Sequence, residues 1–65
     1  MIVFDKLWLT MKEKVISTYV LRERCGIDSK TIRRLKANEN IETKILNKIC
    51  EALDCSLQDI VEYKK

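Results

Sequence analysis

Proline and histidine are absent from the chain, and glycine occurs once, at Gly26. Proline and glycine are the residues that most disfavour a helix interior, so their scarcity points to extensive helical coverage. Without histidine, a catalytic triad of the usual kind is excluded. No carboxylate pair, no nucleophile beside a base and no glycine-rich phosphate loop stands out, so an enzyme is not expected. No apolar run approaches the roughly 20 residues needed to span a bilayer. The opening Met1-Ile2-Val3-Phe4 is apolar but far too short for a signal peptide, and no cationic region precedes it. The expected compartment is the cytoplasm. Cysteine is present three times, at Cys25, Cys50 and Cys55. An odd count argues against a closed disulfide framework. Zinc takes about four ligands, and with no histidine and no C-x-x-C pair the neighbours Cys50 and Cys55 leave at most a partial site shared between chains. The three cysteines read as small, mostly buried apolar side chains, and neither a metal nor a cofactor is expected.

What is present is charge, unevenly placed. The chain has 65 residues, one domain's worth. A chain this size buries only about 60% of the surface its unfolded form exposes, so its stability is small, on the order of 3–5 kcal/mol, with little room for a deep pocket. The formal net charge of +3 says little, but its distribution says more. Residues 1–21 carry net +1, residues 22–48 net +4 and residues 49–65 net −2. From Ser29 to Asn38 there are four cations (Lys30, Arg33, Arg34, Lys36) and no anion. A basic patch opposite an acidic tail suggests that one face meets a polyanion.

Apolar periodicity predicts five short helices and no strand. The first covers residues 5–14, where Phe4, Leu7, Trp8, Met11 and Val15 form one stripe and Asp5 is placed to cap. Ser17 is the natural cap of a second helix over 18–25, with Val20, Leu21 and Cys25 inward. Gly26 stands just past its end, where the left-handed conformation is common. Asp28, or failing it Ser29, caps a third helix over 29–37. Ala37-Asn38-Glu39-Asn40 reads as a turn, since asparagine tolerates the left-handed conformation. A fourth helix runs from Thr43 or Lys44 to Leu53, with Ile45, Leu46, Ile49, Cys50 and Leu53 as its apolar stripe. Ser56-Leu57-Gln58-Asp59 resembles a capping box with Asp for the usual Glu. It opens a fifth helix over 57–63 that turns Leu57, Ile60 and Val61 inward, and Tyr63-Lys64-Lys65 frays.

The third helix decides the reading. At about 100° per residue, Ile32 and Leu35 share one face, Lys30, Arg33, Arg34 and Ala37 take the opposite one, and Ser29 lies at its border. Two helices joined through a short turn that often contains glycine make a helix-turn-helix. The major groove of duplex DNA admits one helix, and Arg and Lys reach the O6 and N7 acceptors of guanine there. Helix amino-termini add backbone donors for phosphate oxygens. The competing reading is a merely solvated cationic face, and the turn in front of it weighs against that.

From Leu7 to Tyr63 the chain resembles the Cro/cI-type (lambda-repressor-like, XRE) helix-turn-helix family. Residues 17–36, STYVLRERCGIDSKTIRRLK, carry the motif. Leu46-Asn47-Lys48-Ile49-Cys50-Glu51-Ala52-Leu53 resembles the family's fourth helix and Ser56-Leu57-Gln58-Asp59-Ile60 its fifth. The short YozG-like regulators of Gram-positive bacteria are the most similar group. The resemblance implies an all-α, compact five-helix domain with the helix-turn-helix at helices 2 and 3. It implies base-edge contacts at Ser29, Lys30 and Arg34, with Arg33 close by. It implies phosphate contacts at Ser17, Thr18 and Tyr19, at Asn38 and Asn40 after the recognition helix, and at Lys44; Lys36 and Arg22 join this set. Three departures stand out. Arg22 occupies a position where the family often has a small alanine, so its cation must reach solvent or a phosphate. Asn38 sits where glycine is frequent. Thr18 replaces a frequent glutamine.

Trp8 reads as core rather than a base-stacking platform. Tyr19 is balanced between packing and phosphate contact, and Tyr63 between the core and a partner chain. The function this implies is sequence-specific binding of double-stranded operator DNA by a transcriptional regulator, most simply a repressor. It would work as a homodimer joined through either the apolar amino terminus or the fifth helix and its tail. The alternative is a protein-interaction module, an antirepressor or antitoxin on the same fold. RNA is disfavoured because no aromatic platform for stacking bases is evident.

Overall fold

The computed structural model describes all 65 residues. Four α-helices form: α1 (Asp5–Lys14), α2 (Thr18–Cys25), α3 (Ser29–Lys36) and α4 (Thr43–Leu53). A single 3-10 turn, Leu57–Asp59, follows α4. Two short strands, β1 (Ile2–Val3) and β2 (Glu62–Tyr63), pair antiparallel, with Ile2 opposite Tyr63 and Val3 opposite Glu62. The apolar stripes of the helices meet in one cluster. Leu7 and Met11 of α1, Leu21 of α2, Ile32 and Leu35 of α3, and Ile49 and Leu53 of α4 join Phe4, Ile27 and Ile60. Trp8 packs half-buried against this cluster, which agrees with its reading as core. No polar or charged residue is buried in it, so none of its members owes a desolvation penalty for an unpaired polar group.

The carboxy-terminal segment departs from expectation. In place of a fifth α-helix over 57–63 there is one 3-10 turn and then a strand. The Asp59 carboxylate accepts from the Ser56 N–H at 3.0 Å, as the capping-box pattern requires. The turn closes with the N–H groups of Ile60 and Val61 both bonded to Leu57 O at 3.0 Å, and the chain becomes extended only from Glu62. Strand β1 also offers backbone partners that helical periodicity does not reveal. Ile60 is fully buried as expected, but Leu57 is 54% exposed. The chain's two ends are therefore held together. The Lys64 N–H donates to Met1 O at 2.8 Å, the amino-terminal ammonium donates to Lys64 O, and Lys64 Nζ pairs with Asp5 Oδ2 at 3.0 Å. The tail that was expected to fray is tied down, and Asp5 serves as this ion-pair partner instead of capping α1. Val3 and Phe4 lie in the interior, so only Met1 and Ile2 of the apolar start are exposed.

The helix ends share one device. Val15, Gly26, Asn38 and Asp54 each follow a helix with positive φ. After α1, Ile16 N–H bonds to Met11 O at 2.9 Å and Val15 N–H to Lys12 O at 3.2 Å. This reciprocal pair is the Schellman closure, which satisfies carbonyls the helix leaves orphaned. The same pairing recurs after α3, from Glu39 to Arg34 O and from Asn38 to Leu35 O. It recurs again after α4, from Cys55 to Cys50 O and from Asp54 to Glu51 O. Val15 was expected in the α1 stripe. It is instead 90% exposed, because the left-handed turn swings it outward and brings Ile16 against the core.

Candidate nucleic-acid interface

The turn from α2 to α3 is three residues long, Gly26-Ile27-Asp28. Gly26 has φ +68, and a Cβ there would meet nothing within 4 Å. Glycine is suited to this position by its conformation, since no neighbour crowds it. Ile27 is 1% exposed and fills the crotch between the two helices, a core role its isolated place in the sequence did not signal. Asp28 caps α3: its Oδ1 accepts from the Thr31 N–H at 2.8 Å. The Thr31 hydrogen bonds, with Lys30 and Arg34 close by, hold the Asp28 carboxyl below its ordinary value. With Thr31 N–H satisfied, the N–H groups of Ser29 and Lys30 head the helix without an intrahelical acceptor. A helix start of this kind favours anions.

Helix α3 turns as its periodicity requires. Ile32 and Leu35 are buried, while Ser29, Lys30, Arg33, Arg34, Lys36 and Ala37 are exposed. Lys30, Arg33, Arg34, Ala37 and Glu39 line a shallow open depression. The ion pairs of the molecule are Lys44–Glu42 at 3.9 Å and Lys64–Asp5 at 3.0 Å. None of Lys30, Arg33, Arg34 and Lys36 takes part in either, although Asp28 stands near Lys30 and Arg34 and Glu39 shares the depression. Lys36 lies on the flank of α3, about 100° or more from Lys30 and Arg34 around the axis.

The remaining residues singled out in the sequence surround this face in different ways. Ser17 stands at the cap position of α2 with extended backbone, and its side chain makes no capping bond. Thr18 is half-buried and Tyr19 is exposed, so Tyr19 is free of the core. Arg22 is exposed, and its Nη1 donates to Ser29 Oγ at 3.3 Å, linking α2 to the head of α3. Asn38 is half-buried, and its Oδ1 accepts the Phe4 N–H at 2.9 Å. This structural bond ties the turn after α3 to the segment before α1, and sequence spacing gave no sign of it. Asn40 is exposed, as is Lys44 beside Glu42.

Away from this face the molecule offers little chemistry. The three cysteines are free and half-buried. Burial, reinforced by the adjacent Cys50, pushes the Cys55 thiol up, which disfavours the reactive thiolate. No group of three or more His, Cys, Asp or Glu side chains gathers to hold a metal ion. No helix is long and apolar enough to cross a membrane.

Residues 6–65 match the Cro/C1-type helix-turn-helix DNA-binding domain. Among solved structures, the chain is similar to the transcriptional regulator VanUg in its crystal form II. The two are 34% identical, the match covers 94% of this chain and 81% of that one, and the TM-score is 0.87. Among curated proteins no sequence matches. The family's pattern thus runs over nearly the whole chain, and its fold recurs in a transcriptional regulator; the protein belongs to the Cro/C1-type helix-turn-helix DNA-binding domains, and its partner is double-stranded DNA.

Proposed function

We propose that this protein binds operator DNA sequence-specifically and represses transcription, with α3 lying in the major groove. The observation that carries the reading is the outer face of α3, where three exposed cations form no ion pair within the chain. Such a face is a standing demand for external anions. Lys30, Arg33 and Arg34, with Ser29 at the helix head, face base edges. Ser17, Thr18, Tyr19, Arg22, Lys36, Asn40 and Lys44 contact phosphates around them. Asn38 contributes through its amide NH2, since its oxygen is engaged by Phe4. Within the family we assign the chain to the short YozG-like regulators, working in the cytoplasm.

One recognition helix reads few base pairs, so the working form is a homodimer on a two-fold-related site. The two surfaces considered for dimerisation adjoin each other, because β1 and β2 form one sheet. Ile2 and Tyr63 of the sheet, with the adjoining Met1, are exposed large apolar side chains.

Arg34→Ala tests the reading. The substitution is expected to cost about 1–3 kcal/mol on the preferred site and to relax base preference. Binding should also weaken steeply with added salt, as counterion release requires. Equal losses on preferred and random duplexes would make Arg34 a phosphate contact. A complex insensitive to salt would overturn the DNA reading in favour of a protein partner.

A further inference from the structure

Arg22 departs from the family resemblance at a position where a small residue is frequent, and its side chain does something specific. Its Nη1 reaches across the turn to Ser29 Oγ at 3.3 Å. Ser29 is the first residue of α3, and Arg22 lies in the last turn of α2. Both are exposed, and Arg22 forms no ion pair with any carboxylate of the chain. A guanidinium has five N–H donors and no acceptor. One donor is spent on Ser29, and the others remain for a phosphate of the strand crossed by α2.

We propose that Arg22 is a positioning residue for base recognition: it fixes the polarity of the Ser29 hydroxyl while gripping the DNA backbone. The inference rests on the proposed docking of α3 in the major groove. A serine hydroxyl has one donor and two lone pairs and rotates to suit its neighbours. With a cationic donor on one lone pair, the hydroxyl turns its own hydrogen away from Arg22, toward the groove. Ser29 then presents a donor. It selects a base edge bearing an acceptor there (guanine O6 or N7, adenine N7, thymine O4) over the amino donor of cytosine. The nearby guanidinium charge reinforces that choice, because it repels a second donor. Arg22 thereby couples a sequence-independent phosphate contact to discrimination at one base pair.

The test uses the full chain and a randomised duplex pool. Preferred sites and base-by-base preferences are measured for the wild type, Arg22→Ala, Arg22→Lys, Ser29→Ala and the double Arg22→Ala/Ser29→Ala, each first shown to be folded by its thermal melt. Arg22→Ala is expected to weaken binding to all duplexes. It should also lower preference at one position by about threefold to tenfold, the worth of one hydrogen bond. Ser29→Ala should relax the same position, and the double variant should relax it no further than either single. Arg22→Lys should recover the salt dependence but not the preference, since a lysine lacks the planar fork that serves two partners at once. An unchanged base profile in Arg22→Ala, or additive losses in the double variant, would overturn the inference and leave Arg22 a simple phosphate contact. Failure of the wild type itself to select any duplex would instead overturn the proposed function.

Discussion

Val15 is the residue whose backbone carries a cost. Its φ is 55 and its side chain is 90% exposed. A β-branched residue is poorly suited to left-handed backbone, and such a conformation costs on the order of 1–3 kcal/mol. Replacing it with glycine removes that strain and forfeits almost no packing, though the unfolded chain gains freedom worth about 0.5–1 kcal/mol. Val15→Gly is therefore expected to raise stability by about 0.5–1 kcal/mol, read from the denaturant midpoint; a fall would mean that the turn is not strained. The sequence disguised this position, because spacing from Met11 fits an apolar stripe as well as a helix end. Asn38 was different. Its residue type alone suggested a left-handed turn, and the structure gives it φ 56. Its bond to the Phe4 N–H spans residues far apart in the chain, so no local pattern could have shown it.

Among the elements, α3 depends most on its cap. The Asp28 carboxyl has its pKa lowered by the Thr31 hydrogen bonds. A carboxylate depressed in the folded state contributes stability that is present above its unfolded pKa and is lost as pH falls through the folded value. The contribution of this cap is thus complete at neutral pH, begins to fall below about pH 4, the ordinary aspartate value, and is gone only below the lowered folded value. Asp28→Ala is expected to lower the melting temperature at pH 7 and to change it less near pH 3. An equal effect at both pH values would show that the ionised cap is not what holds the helix start. Helix α4 presents the opposite case, an element held by packing. Ile49 and Leu53 are fully buried, whereas Leu46 is only half-buried. Ile49→Ala is expected to destabilise the protein by about 2–5 kcal/mol, since deletion leaves a cavity in a core that relaxes only in part. An unchanged melting curve would contradict its place there. The boundaries of α1 to α4 were legible chiefly from 3.6-residue periodicity, since only α3 carries a side-chain capping bond, from Asp28.

At the scale of the whole molecule, the ends of the chain close the fold. Strand β2 pairs with β1, and Lys64 reaches both Met1 and Asp5. In a domain with about 3–5 kcal/mol of stability, the loss of one closing strand is a large fraction. A chain ending at Val61 is expected to melt about 5–10 °C lower, the shift that about 1–2 kcal/mol produces at this size. A melting temperature within error of the full chain would show that the sheet adds nothing. The Lys64–Asp5 pair adds a smaller effect of opposite pH sense. Its ammonium is raised in pKa by the Asp5 hydrogen bond, so what it contributes is present below the ordinary lysine value and is lost as pH rises through the folded one.

Residue order along single helices determined most of this protein on its own. A stripe repeating every three or four residues states which face is buried, so Ile32 and Leu35 fixed the outward direction of Lys30, Arg33 and Arg34. Glycine and aspartate at the turn named its ends by their local chemistry. Tertiary structure decided whatever depends on partners distant in the chain. Residues 60–63 carry no pattern strong enough to choose between helix and strand, and β1, some sixty residues away, offers the backbone groups that settle the choice. The Arg22–Ser29 contact has the same origin. Two exposed polar side chains on separate helices meet only because the Gly26 turn sets the angle between those helices.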